Sequence, residues 1–208
     1  MVIDECKLCE LREKVGRDMS AKRYNHTLEV EKMAARLAAL YAPEKTDALR
    51  AAALLHDITK EYSNEQHREV CAEYGVEISE LTASAPKTFH AITAALLIPK
   101  LYPDFASEDI IDCVRWHTTA RADMSIPEAI VYLADYIDMS RSFEDCVELR
   151  SFFWDADPES MSESDRREHL RRTLIRSLDM TVSSLIESGK TVSSDTFEAR
   201  NSLIIKGI

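Results

Sequence analysis

The stretch HTLEVEKMAARLAALY, residues 26–41, decides the fold class. Val30, Met33, Ala34, Leu37, Leu40 and Tyr41 recur at steps of three and four, the period of one apolar helix face. The spacing predicts a helix over 18–41, opened at Asp18 and stopped by Pro43. Outward from it, the same period governs most of the chain. A second helix is expected over 46–60, with Thr46 as N-cap and Leu49, Ala52 and Ala53 on its stripe. Shorter helices are expected over 63–74, 88–98 and 107–118, the middle one ending at Pro99. Ser125-Ile126-Pro127-Glu128 reads as an N-cap with proline near the first turn, opening a helix to Arg141. A long polar-faced helix is expected over 163–188, and a short last one from Ser194 or Asp195. No segment sustains period-two alternation, so the expected class is all-α, a single helical bundle.

Composition agrees with that class. The 208 residues suit one domain, and 45% apolar with 30% charged residues can fill a core and stay soluble. Four glycines and six prolines are too few for a collagen-like, low-complexity or turn-rich β chain. Twenty-six Lys and Arg against 37 Asp and Glu give a net charge of −11, which argues against a nucleic-acid polymer as partner. No apolar run approaches the roughly 18 residues of a membrane span. Met1 to Arg12 shows no apolar signal core, so the expected compartment is cytoplasmic and no membrane partner is expected. The odd set Cys6, Cys9, Cys71, Cys113 and Cys146 does not form a disulfide framework. Cys6-x-x-Cys9 has the spacing of half a zinc site, without a second pair to complete it. The first 17 residues are expected as an N-terminal extension, and 18–208 as the domain.

Six polar residues fall on apolar faces. His26 sits four before Val30, and His56 follows Leu49, Ala52 and Ala53 at helical spacing. Asp57 is its neighbour. His90 precedes Ala94 and Leu97 by four and seven, and His117 follows Cys113 and Val114 by four and three. Asp135 ends the apolar run Ile130-Val131-Tyr132-Leu133-Ala134. Burying one such group without partners costs several kcal/mol. Six of them must satisfy each other or bind something, and a metal centre in the core does this with neutral imidazoles and a charge that cancels the carboxylates. His67 and His169, in strongly polar surroundings, are expected on the surface, and Cys113 as packing.

The set His26…His56-Asp57…His90…His117…Asp135 resembles the HD superfamily of metal-dependent phosphohydrolases, in the version with two extra histidines that supports a two-metal centre. The flanking words Arg23-Tyr24-x-His26-Thr27, Leu54-Leu55-His56-Asp57-Ile58-x-Lys60, His117-Thr118-Thr119, Met124-Ser125, Leu133-Ala134-Asp135-Tyr136-Ile137 with Arg141, and Asp195-Thr196-x-Glu198-Ala199-Arg200-Asn201 are similar to the YqeK-type symmetrical bis(5′-nucleosyl)-tetraphosphatases of bacteria. Two departures stand out. This chain has Ala120 where that family usually has glycine, and Thr93 near a position where it often has glycine. Ala120 must keep φ negative or accept strain.

The resemblance implies cleavage of diadenosine tetraphosphate into two ADP by a metal-bound hydroxide. It implies iron, one ion or two; the donor set also suits manganese, cobalt, nickel or zinc. Asp57 is the expected bridge between two ions. His26, His56 and Asp135 would complete one, and His90 and His117 would hold the second or contact the phosphates. Asp57 and Lys60 are the expected catalytic residues. Lys60 lies three after Asp57 and Arg23 three before His26, and both can neutralise phosphate charge. Arg141 can clamp a phosphate and Thr118 can donate a hydroxyl. Arg121 and Arg200 are weaker candidates. A homodimer also fits the resemblance. Alternatives remain at this stage: another nucleotide as substrate, such as a mononucleotide or an alarmone, a di-iron oxygenase, or a nucleotide sensor without turnover.

Overall fold

Asp4 caps the first helix, α1 (Glu5–Asp18), by accepting the Lys7 N–H. The computed structural model describes residues 3–208, and among them there is no strand. The chain breaks after α1, and Ser20 caps α2 (Ala21–Tyr41) by accepting the Arg23 N–H. Asp18 therefore closes one helix rather than opening the next. Pro43 stops α2 as expected, and a 3₁₀ turn, Pro43–Lys45, leads to α3 (Thr46–Leu55). Thr46 is not the cap: its hydroxyl donates to the Pro43 carbonyl at 2.9 Å. α3 also stops short of Lys60. Residues 56–61 form tight turns, with Lys60 N–H bonded to Asp57 and Tyr62 N–H to Thr59, each at 3.0 Å. β-branched Ile58 and Thr59 weaken a helix there, and the Thr59 hydroxyl is drawn to the His90 carbonyl at 2.9 Å.

A Ser63–Gln66 capping box opens α4 (Asn64–Glu73). Then come α5 (Glu80–Ser84), α6 (Phe89–Leu101) and α7 (Glu108–Trp116). Pro99 lies inside α6 rather than ending it, and the helix closes when Tyr102 N–H reaches the Ile98 carbonyl. The Ser125–Glu128 box opens α8 (Ile126–Ile137), which ends at Asp138, before Arg141. The remaining helices are α9 (Glu144–Trp154), α10 (Glu163–Glu187) and α11 (Ser194–Ile205). Helices α1, α5 and α9 lie where no helix was expected.

Helices α2, α3, α7 and α8 pack on one another around the main core. Leu8, Leu11 and Val15 of α1 belong to that core. Burying each leucine side chain contributes about 1.5–3 kcal/mol. Nearly buried Glu31 ties α1 to α2 and α3 by accepting from Arg12 at 2.6 Å and Arg50 at 3.0 Å. Leu149 and Phe153 of α9, Leu170, Leu174 and Leu178 of α10, and Leu203 of α11 close the other side.

His67 and His169 are buried, against expectation, at 4% and 6% exposure. His169 Nε2 donates to the Phe153 carbonyl at 3.0 Å and its ring stacks on Phe153. His67 Nδ1 meets the Thr93 hydroxyl at 2.8 Å. Both rings lie under helices distant in sequence, which local polarity does not reveal. All five cysteines are free, and burial raises the Cys113 thiol pKa, consistent with packing. No helix among the described residues is long and apolar enough to cross a membrane.

The loop after α7 is held from the C-terminal helix. Thr196 donates to the Thr119 carbonyl at 3.0 Å. Ser202 and Lys206 both donate to Asp123, each at 2.8 Å. Ala120 adopts φ 59°, so it accepts the left-handed conformation that glycine takes freely.

Candidate metal centre

Five helix termini converge on one point. His26 lies in the second turn of α2, His56 and Asp57 directly after α3, His90 in the first turn of α6, His117 directly after α7, and Asp135 in the last turn of α8. Helix ends leave carbonyls and N–H groups free to take side-chain partners. Here they orient the histidines. His56 Nδ1–H donates to the Ala53 carbonyl at 2.6 Å, His90 to Lys87 at 2.8 Å and His117 to Val114 at 2.6 Å. A carbonyl only accepts, so each Nδ1 carries the proton and each Nε2 presents a lone pair to the centre.

Asp57 stands in the middle of those lone pairs. Its Oδ2 lies 3.3 Å from His56 Nε2 and 3.8 Å from His26 Nε2. Its Oδ1 lies 3.3 Å from His90 Nε2 and 3.8 Å from His117 Nε2. Asp135 Oδ1 is 3.0 Å from His26 and 3.8 Å from His56. All six predicted ligands are thus together. Four overlapping groups of three have ligand atoms within 4.8 Å of one another: His26, His56, Asp57; His56, His117, Asp135; Asp57, His90, His117; and His26, Asp135, Asp138.

The donor set fits a divalent cation. His26 Nε2, His56 Nε2 and Asp57 Oδ1 are buried without a hydrogen-bond partner. His90 and His117 bring two Nε2 atoms to 2.9 Å. Two lone pairs at that distance repel unless a cation lies between them. Neighbouring ligands each about 2.1 Å from one ion stand about 3 Å apart. Burial and neighbouring positive charge hold His90 well below its usual pKa and push His117 to about 4, so both are neutral and free to ligate. Burial alone would raise the Asp57 pKa, but His56 and Lys60 keep it well below the usual carboxylate range. This buried cluster of imidazoles and carboxylates could hold a divalent metal ion.

Cations surround the acids. Arg23 donates to Asp57 Oδ2 at 2.6 Å. Lys60 Nζ lies 2.9 Å from His90 Nε2. Arg141 is hydrogen-bonded to the Asp135 side chain, and its Nε donates to the Asp135 carbonyl at 2.7 Å. Thr118 Oγ1 lies 3.1 Å from both His90 Nε2 and His117 Nε2. Arg121 and Arg200 are elsewhere, paired with Glu128 and Asp179.

Asp138 was not anticipated. It is fully buried, its Oδ2 lies 3.4 Å from His26 Nδ1, and it accepts from the Ser140 N–H at 2.8 Å. The available signal was its place three residues after Asp135. With Asp135 it outweighs the effect of burial and raises the His26 pKa to about 9. Behind the centre, His67 meets Thr93, Thr93 meets Thr59 at 2.9 Å, and Thr59 donates to the His90 carbonyl. This chain of bonds fixes the turn after Asp57 against α6. In front of it, a pocket of about 420 Å³ opens at Thr118 and is lined by Lys87, Thr88, Thr181 and Leu185 among others.

The HD domain family matches residues 23–140. The symmetrical bis(5′-nucleosyl)-tetraphosphatase of Bacillus subtilis is 30% identical over 190 residues, covering 91% of this chain and 94% of its own. The enzyme of the same name from Halalkalibacterium halodurans is 27% identical over 188 residues, covering 90% and 92%. Among solved structures, a predicted HD superfamily hydrolase involved in NAD metabolism from Clostridium acetobutylicum superposes with a TM-score of 0.80 at 31% identity, over 94% of this chain and 95% of that one.

Proposed function

The chain belongs to the HD domain family, and on that premise we propose that it is a symmetrical bis(5′-nucleosyl)-tetraphosphatase, cutting diadenosine tetraphosphate into two ADP. One observation carries the reading: each oxygen of Asp57 faces a different pair of imidazole Nε2 atoms. A carboxylate placed so can serve two ions. His26, His56, Asp57 and Asp135 would hold one, and Asp57, His90 and His117 the other. When bound, the metal supplies a hydroxide nucleophile at neutral pH and Lewis acidity toward a phosphate oxygen. Iron is the metal this reading assigns, and the cytoplasm its compartment.

The chain's own residues bind and orient the substrate. Lys60 sits beside both Asp57 and His90, where its ammonium neutralises charge on the leaving phosphate. Arg23 and Arg141 hold acids of the centre and turn to phosphate oxygens when those acids ligate a metal. The Thr118 hydroxyl stands at the mouth and donates to a bridging or terminal oxygen. The 420 Å³ pocket beyond it has room for a nucleoside. A cut at the middle of four phosphates follows if two phosphates span the gap from nucleoside to metal.

The test is product chromatography with iron or manganese supplied. ADP as sole product, lost in Asp57→Ala, is the expected result. AMP plus ATP, or no cleavage in a metal-loaded protein, would refute the assignment.

A further inference from the structure

A second charged pocket lies next to the first. It has a volume of about 160 Å³ and shares Thr88, Thr119 and Ser193 with the pocket that opens at Thr118. Arg115 and Asp195 both line it, with Leu81 and Ile92 as apolar walls. Among the described residues Arg115 makes no hydrogen bond and no ion pair within 4 Å; its guanidinium rests 4.0 Å over the Trp116 ring. Asp195 accepts from the Ser193 hydroxyl at 3.3 Å. Burial disfavours the Arg115 charge, and Asp195 exerts the strongest opposing attraction on it. Two opposite charges so near normally close into a bidentate pair. Here no hydrogen bond and no ion pair within 4 Å joins them, and both the guanidinium fork and the carboxylate line the pocket.

The pair limits what can fill the space. A bare anion is repelled by Asp195, and a bare cation by Arg115. A neutral planar ligand with acceptors on one edge and donors on the next satisfies both. We propose that this pocket reads the base of the bound nucleotide and that its charge pattern is that of a guanine site. Guanine O6 and N7 accept from the fork of Arg115, and N1–H with the 2-amino group donates to the two oxygens of Asp195. Adenine offers one acceptor and one amino group to the same pair, which leaves half of each unused. Sites built around such hydrogen bonds discriminate strongly against ligands that lack them. The path is short: Thr118 touches the metal ligands, and its neighbour Thr119 lines both pockets. The inference rests on the hydrolase reading above and gives this chain a preference for the guanosine counterpart of the substrate named there.

Calorimetric titration of the metal-loaded protein with GDP, IDP and ADP tests it. GDP is expected to bind about tenfold or more tighter than ADP, with IDP, which lacks the 2-amino group, between them. Asp195→Asn should abolish the GDP preference, with GDP losing more affinity than ADP. Arg115→Met should weaken GDP by about tenfold, and its melting temperature is recorded to show that it folds. Equal affinities, a preference for ADP, or a GDP preference that survives both substitutions overturns the base assignment. ADP-only cleavage of diadenosine tetraphosphate would then leave the hydrolase reading intact. A GDP preference without any cleavage supports the pocket and sinks that reading.

Discussion

Lys60 Nζ lies 2.9 Å from His90 Nε2 and 3.6 Å from Asp57 Oδ1. It is bonded to one predicted ligand and within charge contact of another, yet its ammonium is only partly buried. A positive group there stabilises charge that develops on a phosphate. Lys60→Met is expected to lower kcat by about 100-fold or more, with metal content unchanged by elemental analysis. A loss of metal matching the loss of rate would show instead that Lys60 serves the ligands.

The His26 pKa of about 9 gives the centre a pH dependence of known sign. In the metal-free protein the raised pKa contributes stability that is complete below about pH 6.5 and is lost as pH rises through about 9. Ligation needs His26 deprotonated, so metal affinity rises over the same window, by about tenfold per pH unit. The gap in melting temperature between metal-loaded and chelator-treated protein should therefore widen from pH 6.5 to 9. A gap that narrows would contradict the assignment of His26 as a ligand.

Ala120 at φ 59° is fully buried, so its replacement has opposing terms. Ala120→Gly relieves about 1–2 kcal/mol of left-handed strain. It loses about 0.8 kcal/mol of methyl burial and about 0.4–1 kcal/mol to the entropy of the unfolded chain. Denaturant unfolding should find the variant within about 1 kcal/mol of the parent. Ala120→Val, branched and enlarged in a closed space, should lose more than about 2 kcal/mol.

His169 is a stability residue. In His169→Leu the Phe153 carbonyl loses its donor, at a cost of about 1–3 kcal/mol. The melting temperature should fall by several degrees, while kcat at 25 °C stays at the parent value.

The residues of the candidate site were legible because each breaks an apolar stripe on or directly beside a helix: His26 before Val30, Asp135 after Ala134. Burial of His67 and His169 depends on Thr93 and Phe153, distant in sequence, and so left no local mark. Helix α1 was missed although Leu8, Leu11 and Val15 keep helical spacing, because charged residues dominate the stretch. Asp138 hides just past the end of α8, where an acid is ordinary. The Nδ1 bonds to carbonyls three residues back are backbone geometry, invisible to residue type. The two ends of the 46–60 expectation failed for a different reason: Thr46 and Thr59 bond carbonyls rather than capping or continuing the helix.

The cations around Asp57 and Asp135 set an order of events. Without metal, Arg23, Lys60 and Arg141 lie against the carboxylates of Asp57, Asp135 and Asp138, and protonated His26 sits between Asp135 and Asp138. A polyphosphate meeting that state finds little net attraction, and a chain of net charge −11 repels it further. A divalent ion takes over the acids and frees the same three side chains, so the positive charge facing solvent appears only once the centre is loaded. Nucleotide should thus follow metal in a compulsory sequence. Calorimetry on chelator-treated protein should detect no GDP or ADP binding at concentrations that saturate the loaded form.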